Sequence, residues 1–222
     1  MNVSMFMTRE LVTVGPSEPI AEAAALMAQK RIRRLLVAEN RVGGLRLLGL
    51  ISAKDILHWF PPEVNPFAVI APSARQVSLT AGKIMQQQLH TTTPETPIEV
   101  AAAMMRDQRI SALPVLWEKH LVGIVTESDI FRAFVGLLVP DDCGARITFD
   151  VSTGEDVFGL VARAAHRHGV SVSSLVRWQQ DNQPICVVRV AGESVDGFLD
   201  EIWSSGHRVL NVIRFPSEQT GN

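Results

Sequence analysis

The stretch Gly49-Leu50-Ile51-Ser52-Ala53-Lys54-Asp55-Ile56 recurs as Gly123-Ile124-Val125-Thr126-Glu127-Ser128-Asp129-Ile130. Both copies run glycine, two large apolar residues, a hydroxyl residue, and an aspartate three places on. The apolar pair predicts a short buried strand, and Ser52 or Thr126 predicts the start of a helix. Upstream the match continues in a different register. Met7 to Val14 lines up with Met85 to Thr92, Gly15-Pro16 with Thr93-Pro94, and Pro19-Ile20 with Pro97-Ile98. Ala23 to Met27 meets Ala101 to Met105, Arg31-Ile32 meets Arg109-Ile110, and Val37 meets Val115. The offset is 78 there (7 to 85) and 74 in the later motif (49 to 123), because the first copy carries four more residues in its Asn40 to Leu47 turn. An ungapped match of this length with one loop-sized insertion reads as a duplication.

Each copy has the same local logic. Thr96, Pro97 and Glu99 have the shape of an N-cap, a first-turn proline and a capping-box glutamate. Ile98, Ala101, Ala102 and Met105 then recur at helical spacing, as do Ile20, Ala23, Ala24 and Met27. Leu35 to Ala38 and Leu113 to Leu116 predict buried strands. A turn, a second strand (Leu48 to Ile51; Leu121 to Val125) and the motif helix follow. The predicted order is β-α-β-β-α in each copy, at residues 1–60 and 79–139. The prolines Pro61, Pro62, Pro66 and Pro72 mark 61–78 as a connector, in which Phe67 to Ile70 is expected to pack back onto the module.

Composition narrows the function classes. Of 222 residues, 46% are apolar and 20% charged, which fits an ordinary globular chain. A formal net charge of -2 supplies no basic field for nucleic acid. The longest apolar run, Ala133 to Val139, is too short to span a bilayer, and the first residues do not resemble a signal peptide. Cys143 and Cys186 form no CxxC pair, which suits a reducing compartment. The expectation is a cytoplasmic protein. His166 and His168, two apart on a predicted helix, point to different faces and make a poor metal pair. No HExxH, GxSxG or P-loop is present, so neither catalysis nor a required cofactor is expected. The four tryptophans (Trp59, Trp117, Trp178, Trp203) are scattered and read as packing residues.

The duplicated motif, together with Ile110-Ser111-Ala112-Leu113-Pro114-Val115, resembles the CBS domain, whose tandem pair forms the disc-shaped Bateman module. The resemblance covers about residues 1–138 and implies an α/β (α+β) fold that holds an adenine nucleotide or adenosyl ligand, such as AMP, ADP or ATP. The motif itself suits that ligand. A strand delivering the chain to a helix N-terminus favours a phosphate, to which the hydroxyl of Ser52 or Thr126 adds a donor. Asp55 or Asp129 can accept hydrogen bonds from two ribose hydroxyls. The resemblance implies these same roles. It also places Arg33, Arg34, Ser111 and Ala112 on the clefts, with Thr13 and Thr91 near the first strands. Backbone and apolar groups, among them Leu50, Pro114 and Ile124, would hold the adenine. The plain alternative is that Ser/Thr-x-x-Asp is only a capping box. Lys30 to Arg34, with Lys54, suits a di- or triphosphate; the alternative is a solvated basic strand edge. The second copy has Glu127 where the first has Ala53, and no arginine cluster.

Residues 145–216 follow a turn-rich break at Pro140 to Gly144. Their pattern reads strand (Arg146 to Val151), helix (stripe Val157, Leu160, Val161, Ala164, Ala165, ending at Gly169), two strands, helix and strand. This βαββαβ order is ferredoxin-like in outline. With Gly169-Val170-Ser171-Val172 it resembles the ACT domain. Glu155-Asp156 stands where that family receives an amino-acid carboxylate, and two carboxylates would repel one. An interaction role is therefore expected over ligand binding. The order CBS, CBS, ACT resembles the AcuB-type acetoin-utilisation family in architecture, which does not fix function. The expectation is a regulatory homodimer with an unidentified protein partner. A scaffold with vacant clefts is the alternative.

Overall fold

The computed structural model describes residues 1–60, 65–67, 79–138, 143–180 and 183–215. The connector reading therefore lies mostly outside the described residues, as do residues 140–142 of the break at Pro140 to Gly144. The chain forms two compact units, Met1–Ala133 and Phe134–Asn222.

In the first unit, the first copy folds as β1 (Thr13–Val14), α1 (Ile20–Lys30), β2 (Arg34–Arg41), β3 (Gly44–Ser52) and α2 (Ala53–Trp59). β1 pairs parallel and β3 antiparallel with β2. The second copy has α3 (Ala81–Ile84), α4 (Ile98–Gln108), β4 (Ala112–Trp117), β5 (His120–Thr126) and α5 (Glu127–Leu138), with β4 and β5 antiparallel. Its first strand shrinks to one parallel bridge, Thr92 to Val115. The helical stripes bury as the spacing predicts: Ile20, Ala23, Ala24 and Met27 on α1, and Ile98, Ala101 and Met105 on α4. The predicted cap of α4 is one residue out. Pro97 occupies the N-cap, while the Thr96 hydroxyl turns back to the Thr93 amide at 3.3 Å. With no N–H and a fixed φ, proline fits that extended position without a side-chain cap.

The two copies exchange their first residues. Val3 and Met7 enter the core of Ile98, Ala101, Met105, Leu113 and Val125. Ala81, with Leu79, Ile84 and Met85, enters the core of Ile20, Met27, Leu35 and Ile51. Backbone bonds fix both exchanges: the Val3 amide donates to the Thr96 carbonyl at 2.9 Å, and Ile20 to Leu79 at 3.0 Å. Phe67 packs against the first-copy core as expected, and residues 68–70 lie outside the described set. A smaller apolar layer, Leu36, Ala38, Leu50 and Leu121, joins the two copies.

The second unit is β6 (Gly144–Asp150), α6 (Val157–His168), β7 (Ser171–Gln180), β8 (Gln183–Ala191), α7 (Val195–Ser204) and β9 (Val209–Phe215). The sheet order β7-β8-β6-β9, antiparallel at each described pairing, is the ferredoxin-like arrangement. Ile147, Phe149, Val188 and Val190 of the sheet bury against Val161, Ala164, Phe198 and Leu199 of the helices. Gly169 ends α6 at φ 62°, a left-handed position that glycine adopts without a Cβ penalty. His168 lies 2.9 Å from Glu201 and ties α6 to α7, a structural contact. The tryptophans are not packing residues: Trp59, Trp117, Trp178 and Trp203 expose between 45% and 61% of their surface. Each stands on a solvent-facing position, so their size was a poor guide to burial.

Candidate functional site

Glycine opens the site. A Cβ on Gly49 would lie 2.6 Å from Met85 Sδ and 2.8 Å from the Gln86 carbonyl; one on Gly123 would lie 2.7 Å from Met7 Sδ. The missing side chains let the entry segment of one copy run against the motif strand of the other. Leu50 and Gln86 exchange two backbone hydrogen bonds at 3.0 and 2.9 Å, and Thr8 and Ile124 exchange two at 2.9 and 3.0 Å. The repeated glycine thus serves close backbone approach between copies.

Two clefts open beside these contacts. The first, about 330 Å³, is lined by Glu10, Leu11, Val12 and Arg31 to Arg34 of copy one, and by Ile124 and Thr126 to Asp129 of copy two. The second, about 450 Å³, is lined by Gln88, Leu89, His90 and Arg109 to Ala112 of copy two, and by Leu50 and Ser52 to Lys54 of copy one. Each cleft is therefore composite, built from the entry half of one copy and the motif half of the other. Reading one site per copy from the sequence missed this, because the exchange of entry segments leaves no periodic signal.

Of the expected residues, the first cleft gathers Arg33, Arg34, Ser111, Ile124, Thr126 and Asp129. The second gathers Arg33, Arg34, Leu50, Ser52, Ser111, Ala112 and Pro114. Thr13, Thr91 and Asp55 are on neither wall. Thr13 pairs with Leu36 in β1, and the wall is formed by the residues just before it. Gln88, Leu89 and His90 do the same before Thr91. Arg31, Arg109, Glu10, His90 and Lys54 also line the clefts; the sequence marks Arg31 and Lys54 as part of a basic cluster suited to phosphate and gives no such role to Arg109, Glu10 or His90. A second signal was available in Arg31 and Arg109, which stand at equal positions in the two copies.

The aspartates are engaged within their own motifs. Asp55 Oδ2 accepts from the Ser52 amide and hydroxyl, both at 2.7 Å, and the Ser52 oxygen accepts from the Asp55 amide at 3.2 Å, a complete capping box. Asp129 Oδ2 accepts from the Thr126 amide at 2.9 Å and hydroxyl at 2.8 Å, while Oδ1 pairs with Arg132 at 2.9 Å. Arg132 also donates to the Phe6 carbonyl at 3.0 Å. The capping reading of Ser/Thr-x-x-Asp thus holds in full at Ser52 and in its carboxylate half at Thr126. The Ser52 and Thr126 hydroxyl protons point at carboxylates, and the cations of the walls are the remaining strong phosphate donors.

Those cations make no direct ion pair. Arg33, Arg34, Ser111 and Glu127 face both clefts. Among the described residues none of Arg31, Arg33, Arg34, Lys54 and Arg109 has a carboxylate partner within ion-pair distance. Burial lowers the pKa of Arg34, Arg33 lowers it further, and Glu127 opposes both. An arginine in that setting stays charged and gains from an anion beside it.

The CBS domain family model matches residues 3–61 and 81–136. The chain belongs to the CBS-domain family. It is 33% identical over 132 residues to a homoserine O-acetyltransferase of Methanohalobium evestigatum, an alignment covering 59% of this chain and 23% of that enzyme. The matched stretch thus spans about a quarter of that relative's length. Among solved structures, the acetoin utilization protein AcuB of Vibrio cholerae superposes with a TM-score of 0.51 at 25% identity, over 62% of this chain and 93% of that one. CBSX2, solved in complex with AMP, shares the fold with a TM-score of 0.51 at 23% identity, over 62% of this chain and 98% of its own. Among the described residues no helix is long and apolar enough to cross a membrane, and no cluster of three His, Cys, Asp or Glu is placed to hold a metal.

Proposed function

We propose that this CBS-domain protein is a regulator that binds an adenosyl ligand, such as AMP, ADP or ATP, in one or both composite clefts. One observation carries the reading: arginines without an ion-pair partner among the described residues stand on cleft walls that also carry apolar groups, Leu11, Val12, Leu36 and Ile124 in the first and Leu50, Leu89, Ile110 and Pro114 in the second. Such walls suit a ligand with a flat apolar base at one end and an anion at the other. AMP in CBSX2 and the AcuB likeness are compatible with it. Thr126 and Asp129 would stand beside the ligand in the first cleft, and Leu50, Ser52, Ala112 and Pro114 in the second. Because Arg33 and Arg34 face both clefts, a ligand that draws them toward one alters the other, and this is the differential interaction that a two-state response needs. A homodimer, or the ACT-like unit acting as an interaction module, would read that state inside the cell.

One observation favours a second reading, a scaffold with vacant clefts. Both oxygens of Asp129 are already bonded, so a ribose would have to displace Arg132 or share the carboxylate. A thermal-shift panel with AMP, ADP, ATP, NAD and S-adenosylmethionine separates the two. A ligand at a hundred times its dissociation constant adds about 2.7 kcal/mol of stability, a rise of a few degrees in Tm. A rise with at least one of them is expected. Unchanged melting with all of them would support the scaffold.

A further inference from the structure

The clefts share a backbone plan but not a charge. In the second, Arg33, Arg34, Lys54 and Arg109, with His90 beside them, face a single carboxylate, Glu127. In the first, Arg31, Arg33 and Arg34 face Glu10, Glu127 and Asp129. The second wall has a formal excess of three positive charges; the first has none, or one when Asp129 is taken with its ion-pair partner Arg132. A wall with a large excess of like charge is costly until a multivalent anion enters, and the field in a cleft adds to that pull. The more nearly balanced wall attracts a polyphosphate less.

A second observation concerns Arg109 and Arg31. Both end a helix in the left-handed region at φ 53°, a position where glycine is the usual residue. Glycine would relieve the backbone in both copies, and yet a long cation stands there twice, each on a cleft wall. Strain kept in this way is a pointer to use.

We propose that the clefts are specialised: the second holds the phosphate chain of a nucleoside di- or triphosphate, with Arg109 and Lys54 as its specificity-determining residues, and the first holds an adenosyl ligand of little net charge. This rests on the adenosyl reading above. Arg33 and Arg34, common to both walls, contribute to either ligand and do not discriminate.

Calorimetric titration of the full chain with ATP and with adenosine tests this, on the unsubstituted protein and on Arg109→Gly, Lys54→Ala and Arg31→Gly. Arg109→Gly should melt no lower than the parent, since glycine suits φ 53°, while ATP affinity falls about ten- to a hundredfold, the usual loss with a charge-assisted bond. Lys54→Ala, an exposed substitution, should lower ATP affinity in the same direction and serves if Arg109→Gly misfolds. ATP should lose at least ten times more affinity from Arg109→Gly than from Arg31→Gly, and should weaken with salt more steeply than adenosine. Adenosine should still bind the ATP-saturated protein. Equal loss of ATP affinity at Arg31 and Arg109, or mutual exclusion of the two ligands, would overturn the specialisation while leaving the adenosyl reading intact. Failure of both ligands to bind the unsubstituted protein would remove the adenosyl reading itself.

Discussion

The two CBS copies agree in backbone down to single dihedral angles and disagree in the side chains that face the clefts. α1 and α4 both end on an arginine at φ 53°. β2 and β4 both slip register after the same residue, Val37 in one and Val115 in the other. Gly49 and Gly123 both admit the partner copy's entry segment. Against this sameness, Lys54 stands opposite Ser128, His90 opposite Val12, and Ala53 opposite Glu127. Packing constrains the backbone and the core alike, because a one-residue change of register or volume is felt throughout a close-packed interior. Cleft walls carry no such demand, so charge was free to diverge there.

Three substitution pairs and one single substitution test how far the sameness goes. Leu35→Ala and Leu113→Ala each empty a fully buried site in corresponding cores and should each cost about 2–5 kcal/mol in denaturant unfolding. A cost below 1 kcal/mol at one site alone would break the equivalence of the cores. Gly49→Ala should be worse than Gly123→Ala. At Gly49 the new Cβ meets the Gln86 carbonyl at 2.8 Å, whereas at Gly123 the nearest obstacle is the flexible Met7 side chain and the Thr8 carbonyl is 3.3 Å away. About 1–3 kcal/mol is expected at the first site and under half of that at the second. Reversed order would show that the entry segments are not held as described. Asp55→Ala removes a cap worth about 1 kcal/mol; Asp129→Ala removes the corresponding carboxylate bonds and the Arg132 bridge besides, and should cost somewhat more. Equal melting temperatures for the two variants would show that the Arg132 bridge adds nothing.

Thr92→Val should raise stability, by about 1 kcal/mol. The Thr92 hydroxyl is buried without a partner, and valine stands at the matching position Val14 of the first copy. A lower melting temperature would mean that the hydroxyl is bonded in solution.

Much of the fold was legible because it is written in local pattern. The helical stripes, the motif caps at Ser52 and Thr126, and the terminal glycine of α6 each follow from spacing or backbone preference. The exchange of entry segments was not legible. Val3 and Met7 are single apolar residues in an unpatterned stretch, and nothing local says that they belong to the other copy's core. The site was half legible for a related reason. The motif residues were found, while Thr13 and Thr91 were placed on the walls although the consecutive non-strand residues before them form those walls, Glu10 to Val12 in one copy and Gln88 to His90 in the other. Arg31 was legible as part of a basic cluster, while Arg109 stands alone in its copy and its place on the wall, set by a left-handed backbone, appears only in three dimensions. Thr96 was placed at a cap that proline holds without any side-chain bond.

The central claim, that an adenosyl ligand occupies clefts sharing one wall, turns on Ser111, which faces both. The direct measurement is the ligand-induced rise in Tm of Ser111→Trp beside the unsubstituted protein, with ATP and AMP. An indole at that position intrudes on the wall that both clefts share, and Ser111 belongs to neither core. The account predicts a rise of a few degrees in the unsubstituted protein and a clearly smaller one in Ser111→Trp, whose ligand-free Tm stays close to the parent's. A full rise in Ser111→Trp would place the ligand elsewhere and contradict the account.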